Sequence, residues 1–248
     1  MEPQALLIAD AHAHIFPAKI AQKAVGAIGD FYSIPMCHPG SPQALLDSGS
    51  AIGVKKYLVC STATHPGQVV SINSFIRDCC GEHPEFLGFA TLHPDYQDIP
   101  GEVRRILETG LRGVKLHPDF QRFCIDDPAA FPLYEACAEA GLPILFHTGD
   151  DRYDWSAPAR MAAVAGRFPR LTCIAAHFGG YNHWQDVEVY RELPNVWFDT
   201  SSALFRLPPE RALQLIEVLG HRRFLFGTDF PMWDHRQELD RFLALGLP

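Results

Sequence analysis

Asp10-Ala11-His12-Ala13-His14 follows the apolar run Ala5-Leu6-Leu7-Ile8-Ala9, and together they predict a buried strand near the N-terminus. Side chains alternate between the two faces of a strand, so Asp10, His12 and His14 share one face. Two neutral imidazoles spaced two residues apart on a rigid strand can bind one metal ion together. The other ligands of such a site must come from later in the chain.

The rest of the chain alternates short β-rich runs with stretches of helical periodicity. Strict alternation predicts a parallel sheet with right-handed crossovers, and eight such units in 248 residues match the length of a closed barrel. An open doubly wound sheet would need a glycine-rich turn where this chain has His14-Ile15-Phe16-Pro17. We therefore predict an α/β fold, a (β/α)8 TIM barrel formed by residues 1–248 as a single domain. The predicted strands span residues 6–14, 56–61, 86–92, 113–117, 143–148, 171–177, 195–201 and 224–229.

The segment from residue 16 to residue 40 is too long for a simple loop after the first strand. Its first part, Ala18–Ile28, has a helical pattern. We interpret residues 16–40 as an insertion over the barrel mouth that shapes a substrate pocket or acts as a lid. The alternative is a role in packing or in an oligomer contact. Other helices are predicted at residues 42–50, 68–80, 102–108, 129–140, 158–167, 184–193, 209–219 and 235–245, with capping side chains at Asp127 and Ser156.

Composition and charge narrow the classes of function. A formal net charge of −8 argues against nucleic acid or an anionic membrane as a partner. The sequence contains neither a signal-peptide pattern nor an apolar run near the roughly 20 residues that cross a bilayer. Seven cysteines, an odd number without a CxxC pair, favour reduced thiols in a cytoplasmic protein.

Active sites of such barrels lie at the carboxyl ends of the strands. The first predicted strand ends in His12 and His14, the fifth in His147 and the eighth in Asp229. These residues would supply three imidazoles and one carboxylate to a zinc ion, which lowers the pKa of bound water toward about 7. His177, at the end of the sixth strand, would lie beside that water as a hydrogen-bond partner or proton shuttle, or bind a second ion.

Five short motifs between residues 10 and 231 contain these strand ends. They are Asp10-Ala11-His12-Ala13-His14, Gly113-Val114-Lys115-Leu116-His117-Pro118, Phe146-His147-Thr148-Gly149, Ala176-His177-Phe178-Gly179-Gly180 and Phe226-Gly227-Thr228-Asp229-Phe230-Pro231. Their order resembles the metal-dependent amidohydrolase superfamily, in particular the amidohydrolase-2 branch that includes aminocarboxymuconate-semialdehyde decarboxylase. Members of this branch use one zinc or another divalent ion, as C–N or C–O hydrolases or as nonoxidative decarboxylases.

The resemblance also implies roles for individual residues. His12, His14 and His147 would ligate the metal. Asp229 would be a ligand that also accepts a proton from water. His177 would be a ligand or a base that orients the water.

The fourth predicted strand carries Lys115 and His117 on one face. In two-metal relatives a lysine on this strand is carboxylated and bridges the ions, so Lys115 is included among the candidate ligands. A buried lysine must be paired or modified, and the alternative is an ion pair with Asp10 or Asp199. His117 is a candidate for contact with the substrate.

Other polar residues after the strands are candidates for further contacts. Arg152, which follows the fifth strand, is a candidate for docking an anion, with surface packing as the alternative. Asp199 is expected to cap a turn, orient a histidine or ligate. Five more histidines in predicted loops or helix ends are expected to be solvated: His38, His83, His183, His221 and His235.

Three functions follow from this set of residues. The first is a metal-dependent hydrolase in which bound hydroxide opens an amide, ester or lactone of a small molecule. The alternative is a nonoxidative decarboxylase of a small carboxylated substrate that uses the same metal site. A third is an inactive binding barrel, which predicts damaged ligands, whereas the ligand set is intact. A homo-oligomer is compatible with each of them.

Overall fold

The computed structural model describes residues 6–247, so residues 1–5 and 248 of the predicted domain lie outside the described part. Parallel strands alternate with helices throughout, in the order that the sequence predicts. The third predicted strand consists of two pieces, β3 and β4, on either side of Phe89. The strands are β1 (Ile8–His14), β2 (Val54–Cys60), β3 (Phe86–Gly88), β4 (Ala90–Thr91), β5 (Val114–Leu116), β6 (Ile144–Phe146), β7 (Cys173–Ala175), β8 (Val196–Asp199) and β9 (Phe224–Leu225).

The interruption at Phe89 lets one strand pair with two different neighbours. The backbone N–H of Phe89 donates to the carbonyl of Val59 in β2, and the next N–H, of Ala90, donates to Gly113 before β5. The pieces β3 and β4 therefore act together as the third of eight barrel strands among the described residues.

The barrel closes between its last and first strands. The N–H of Ala11 donates to the carbonyl of Phe226 over 2.8 Å, and that of Asp229 donates to His12 over 2.8 Å. A parallel bridge joins Ala13 to Phe230. This closure confirms the predicted (β/α)8 barrel and excludes the open sheet, since an open sheet would leave these edges unpaired.

The helices surround the barrel and complete its hydrophobic core. None of the helices within residues 6–247 is both long and apolar enough to cross a membrane. The α-helices in the described chain are α1 (Ala18–Tyr32), α2 (Pro42–Ser50), α3 (Val69–Glu82), α4 (Ile99–Glu108), α5 (Pro118–Gln121), α6 (Phe131–Ala140), α7 (Pro158–Arg167), α8 (Pro209–Leu219) and α9 (His235–Leu243).

One predicted helix is wrong. Residues 184–193 contain only a 3-10 turn, Val187–Tyr190. The side chains at both ends of this segment are held by the barrel loops: Trp184 Nε1 donates to the carbonyl of His177 over 2.9 Å, and Tyr190 Oη donates to that of Gly179 over 3.0 Å. Valine also has a low helix propensity, so these tertiary contacts determine the local conformation.

A small apolar cluster fills the interior of the barrel. It separates the polar carboxyl ends of the strands from the opposite end, as expected for a packed TIM barrel. The polar site therefore lies on a rigid apolar base. The buried members of the cluster are Leu58, Cys60, Phe89, Leu145, Ile174 and Ala176.

Candidate metal centre

Three of the predicted ligands converge at the carboxyl end of the barrel. Nε2 of His12 lies 3.2 Å from Nε2 of His14. Oδ1 of Asp229 lies 3.6 Å from the first of these nitrogens and 3.3 Å from the second. Two ligands of a tetrahedral ion with bonds of about 2.0–2.2 Å are roughly 3.3–3.6 Å apart. These three atoms, called the donor triad below, therefore fit one face of a tetrahedral metal ion.

Asp199 orients His12 toward the donor triad. A carboxylate only accepts hydrogen bonds, so Nδ1–H of His12 donates to Oδ2 of Asp199 over 2.9 Å and leaves a lone pair on Nε2. Burial, followed by the charge of Lys115, lowers the pKa of His12. Burial raises the pKa of Asp199, but the opposing effect of His12 brings it to about 2. The pair is thus a neutral imidazole supported by an ionised carboxylate, as is common behind metal ligands.

Asp229 is held in an unusual backbone conformation. Its φ of 59° lies in the left-handed region, which costs a residue other than glycine free energy and is concentrated at functional sites. Ser202 Oγ donates to its Oδ2 over 2.6 Å, while Oδ1 faces the two imidazoles. Burial opposes ionisation of this carboxyl, but His12 and His14 hold its pKa well below its usual range.

The charges at the donor triad favour a bound cation. Burial opposes protonation of His14, but Cys60 and Asp229 raise its pKa to about 9. The ionised Asp229 therefore pairs with a positive charge at this point, either a proton on His14 or a metal ion in its place. The residues fit a divalent metal in donor type, in spacing and in charge.

His147 lies beside the donor triad, where it contacts His177. Its Nδ1 is 3.0 Å from Nε2 of His177, and its Nε2 is 2.8 Å from the carbonyl of Gly149. That carbonyl only accepts, so Nε2 of His147 carries the hydrogen and Nδ1 carries a lone pair. Gly149 makes this contact possible, since its φ is +81° and a Cβ there would lie 2.5 Å from the backbone of Tyr181.

His177 presents a second lone pair to His147. Nδ1–H of His177 donates to the carbonyl of Ser201 over 3.1 Å, which leaves Nε2 unprotonated in the neutral ring. Burial lowers the pKa of His177 to about 4. Two lone pairs therefore face each other across the 3.0 Å gap, and the gap suits a proton or another cation. His147 as the fourth ligand stays a prediction.

Lys115 is fully buried next to the donor triad. Its Nζ lies 3.1 Å from Nε2 of His12, and burial lowers its pKa. The predicted alternative of an ion pair with Asp10 is wrong, since that carboxylate accepts hydrogen bonds from the backbone and hydroxyl of Thr228. Asp199, the other predicted ion-pair partner of Lys115, accepts a hydrogen bond from His12. Carboxylation of Lys115 stays a prediction.

Arg152 packs on aromatic residues of α1. Its guanidinium is paired with Asp150 at 2.7 Å and lies over the ring of Phe31, 3.7 Å from the centroid. It is not among the residues that line the cavity above the triad. The structure therefore supports its packing role.

His117 and Asp119 form a neighbouring polar cluster. Nε2 of His117 is 2.9 Å from the hydroxyl of Tyr32, and its ring stacks on that of His147 at 3.9 Å. Ser156, predicted to cap α7, donates instead to Oδ2 of Asp119 over 2.6 Å. The other carboxylate oxygen of Asp119 has no protein partner, and burial raises the pKa of this residue to about 7. The sequence did not single out Asp119. Its position two residues after His117, which ends a predicted strand, could have indicated that it lies at the site.

A cavity of about 920 Å³ opens above the donor triad. Its base contains His14, Lys115, His117 and Asp229, and its walls are mostly apolar. Helix α1 of the predicted insertion forms one wall. Residues from Phe16 to Met36 thus contribute to the cavity lining, and the role of segment 16–40 as an insertion over the barrel mouth stays a prediction.

A closed barrel with imidazole and carboxylate donors at the carboxyl ends of its strands defines a metal-binding class of barrel enzymes. The amidohydrolase family model matches residues 9–248, and the chain belongs to this family. A curated relative is 2-amino-3-carboxymuconate-6-semialdehyde decarboxylase from Dictyostelium discoideum, 26% identical over 203 residues. The match covers 64% of this chain and 55% of the relative, so the chain spans about half the length of that protein.

Solved structures share the fold. An uncharacterised TIM-barrel protein from Bordetella bronchiseptica aligns with a TM-score of 0.78 at 19% identity, over 98% of this chain and 92% of that one. A dihydroxybenzoic acid decarboxylase from Polaromonas sp. JS666, with bound manganese and 2-nitroresorcinol, aligns with a TM-score of 0.72 at 15% identity, again over 98% and 92%.

Proposed function

We propose that this protein is a metal-dependent nonoxidative decarboxylase of a small carboxylic acid. The observation that carries the proposal is the base of the cavity, where the donor triad and the buried Lys115 lie together beneath apolar walls. The decarboxylases among the relatives named above support it. The residue pattern alone favours hydrolysis, whereas the comparisons favour decarboxylation.

The metal is proposed to lie between His12, His14 and Asp229, because the one lone pair of His147 faces His177 rather than the donor triad. When bound, it would act as a Lewis acid that fixes a substrate carboxylate and a neighbouring oxygen. Zinc is the metal expected from the sequence, and manganese is the ion in the Polaromonas relative.

Lys115 is proposed to donate a hydrogen bond to the substrate carboxylate. It is buried, and the other lysine on the cavity lining, Lys19, is exposed. An anion bound beside Lys115 favours its ammonium form, and a charge-assisted hydrogen bond in an apolar site is strong.

The pair His147 and His177 is proposed to hold the proton that replaces carbon dioxide. In the reaction, the bond between the substrate carbon and its carboxylate breaks, CO2 leaves, and a proton takes its place on carbon. The two facing nitrogens lie 3.0 Å apart and both accept, so they can share one proton. Burial disfavours a charged ring, so a proton held there is readily donated.

Hydrolysis is the second candidate because Asp229 lines the cavity and could accept a proton from water. One experiment separates the two. Protein stripped of metal and reloaded with zinc or manganese is given hydroxybenzoic acids in one set of assays and lactones and esters in another. We expect CO2 release from an acid. Ring opening of a lactone without CO2 release from any acid would overturn the decarboxylase proposal.

A further inference from the structure

We infer that the substrate carries an extended apolar group, which occupies a slot between helices α1 and α3. This inference rests on the proposed function, because it places the substrate carboxylate at the donor triad. The cavity continues from the triad into this slot, whose apolar lining is supplied by one stripe of each helix. The apolar slot residues are Ile20, Ala24, Ala27, Ile28 and Phe31 from α1 and Ile72 and Phe75 from α3.

Helix α1 has two apolar sides. Ala21 and Val25 are buried on one of them. The slot residues of α1 stand at positions 20, 24, 27, 28 and 31, a helical spacing that places them in a separate stripe along the helix. Ile20 in this stripe is 45% exposed, so an apolar ligand in the slot would remove apolar surface from water there. The stripe is continuous with the cavity above the donor triad, so a substrate bound in the cavity would cover the stripe.

Helix α3 forms the opposite wall. Ile72 and Phe75 are half-buried and face the cavity. The polar lining residues of this wall, such as Ser71 and Asp78, are neutral or negative. The slot is thus apolar along its length with a polar rim on α3.

Size and charge define the chemical class of the ligand. A cavity of about 920 Å³ lies near the upper end of the roughly 300–1,000 Å³ typical of small-molecule sites. Among the residues that line it, the cations are Lys115 at the base and the exposed Lys19. Lys19 precedes Ile20 on α1, so a second carboxylate could be paired near that residue, whereas burial of one among the apolar slot residues would be costly. The slot therefore fits a carboxylic acid with an alkyl or aryl extension.

A series of 4-alkylbenzoates tests the inference by binding alone. The full chain loaded with manganese is titrated by calorimetry with benzoate and its methyl to butyl derivatives. Burial of one methylene corresponds to about a fourfold gain in affinity, so the Kd should fall about fourfold with each added carbon. A Kd that stays constant or rises as the chain lengthens would overturn the inference.

Variants of the two walls provide an independent test. Ala24→Trp on α1 and Ile72→Trp on α3 should abolish the gain with chain length. The matched controls are Gln22→Trp and Val70→Trp, which lie on the same helices outside the slot and should keep the gain. Equal effects of slot and control variants would contradict the inference, and circular dichroism verifies folding.

The outcomes also separate this inference from the proposed function. A gain with chain length but no CO2 release from any acid supports the slot and refutes decarboxylation. CO2 release without any dependence of binding on chain length refutes the slot and leaves decarboxylation standing.

Discussion

Oδ2 of Asp199 lies 2.9 Å from Nδ1 of His12, and both side chains are fully buried. Because of this contact, Nε2 is the nitrogen of His12 that faces His14 and Asp229 in the donor triad. The same carboxylate accepts hydrogen bonds from the backbone of His177 and from Ser201. One buried carboxylate therefore positions the ends of three strands at the proposed metal site.

Asp199→Asn should weaken metal binding without unfolding the protein. Asparagine keeps the shape of the side chain but loses the charge that supports the imidazole, and changes behind a metal ligand typically cost about 10–100-fold in affinity. We expect this loss in a competition titration against a chelator. Glu102→Gln in α4 is the matched control, since it also neutralises a buried carboxylate, one that pairs with Arg105 away from the site, and it should leave the affinity unchanged. Equal losses in both variants would contradict the assigned role of Asp199.

Strand periodicity predicted which residues meet at the site. Parallel strands in a barrel end at one rim, so His12, His14 and Asp229 could be placed together without knowledge of their contacts. The positions of the eight strands follow from the same alternation. These features depend on short-range pattern and on topology, which are readable from one sequence.

Long-range partners were not predictable in the same way. His235, expected to be solvated, is fully buried, with Nδ1 2.8 Å from the hydroxyl of Ser48, 187 residues away. The rotation of His147 toward His177 and the contact of Lys115 with His12 likewise depend on neighbours brought together only by the fold. Local sequence at a helix end or strand end does not encode such contacts.

Lys115→Met should separate anion docking from metal bridging. With Lys115 as the carboxylate dock, wild type and variant each bind one ion per chain, and CO2 release falls on the order of 100-fold because a charged hydrogen bond is lost. Elemental analysis and a CO2 assay measure the two quantities. A wild type with two ions and a variant with one would instead support a carboxylated, bridging Lys115.

Metal binding should release a proton from His14. Its pKa is about 9, so below that pH a proton occupies the position that the ion needs. The apparent affinity should therefore rise about tenfold per pH unit from pH 6 toward 9 and level off above it. Calorimetry at pH 6.5 in buffers of different ionisation enthalpy should give about one proton released per ion. No release at that pH would contradict the assignment, and a titration at pH 9.5 is the internal control.

Glu238→Gln should stabilise the protein at alkaline pH. Glu238 in α9 is 2% exposed, and burial raises its pKa to about 7 even though Arg241 pairs with it. The folded chain thus binds a proton that the unfolded chain loses near pH 4.5, so the free energy of unfolding falls as pH rises from 4.5 to 7. The full loss, at most about 3 kcal/mol, is present above pH 7. Urea unfolding at pH 5 and pH 8 should show the variant gaining over wild type at pH 8 alone. Glu217→Gln, at an exposed position of α8, should show no such difference, and a variant that loses stability at pH 8 would show that the ion pair with Arg241 outweighs burial.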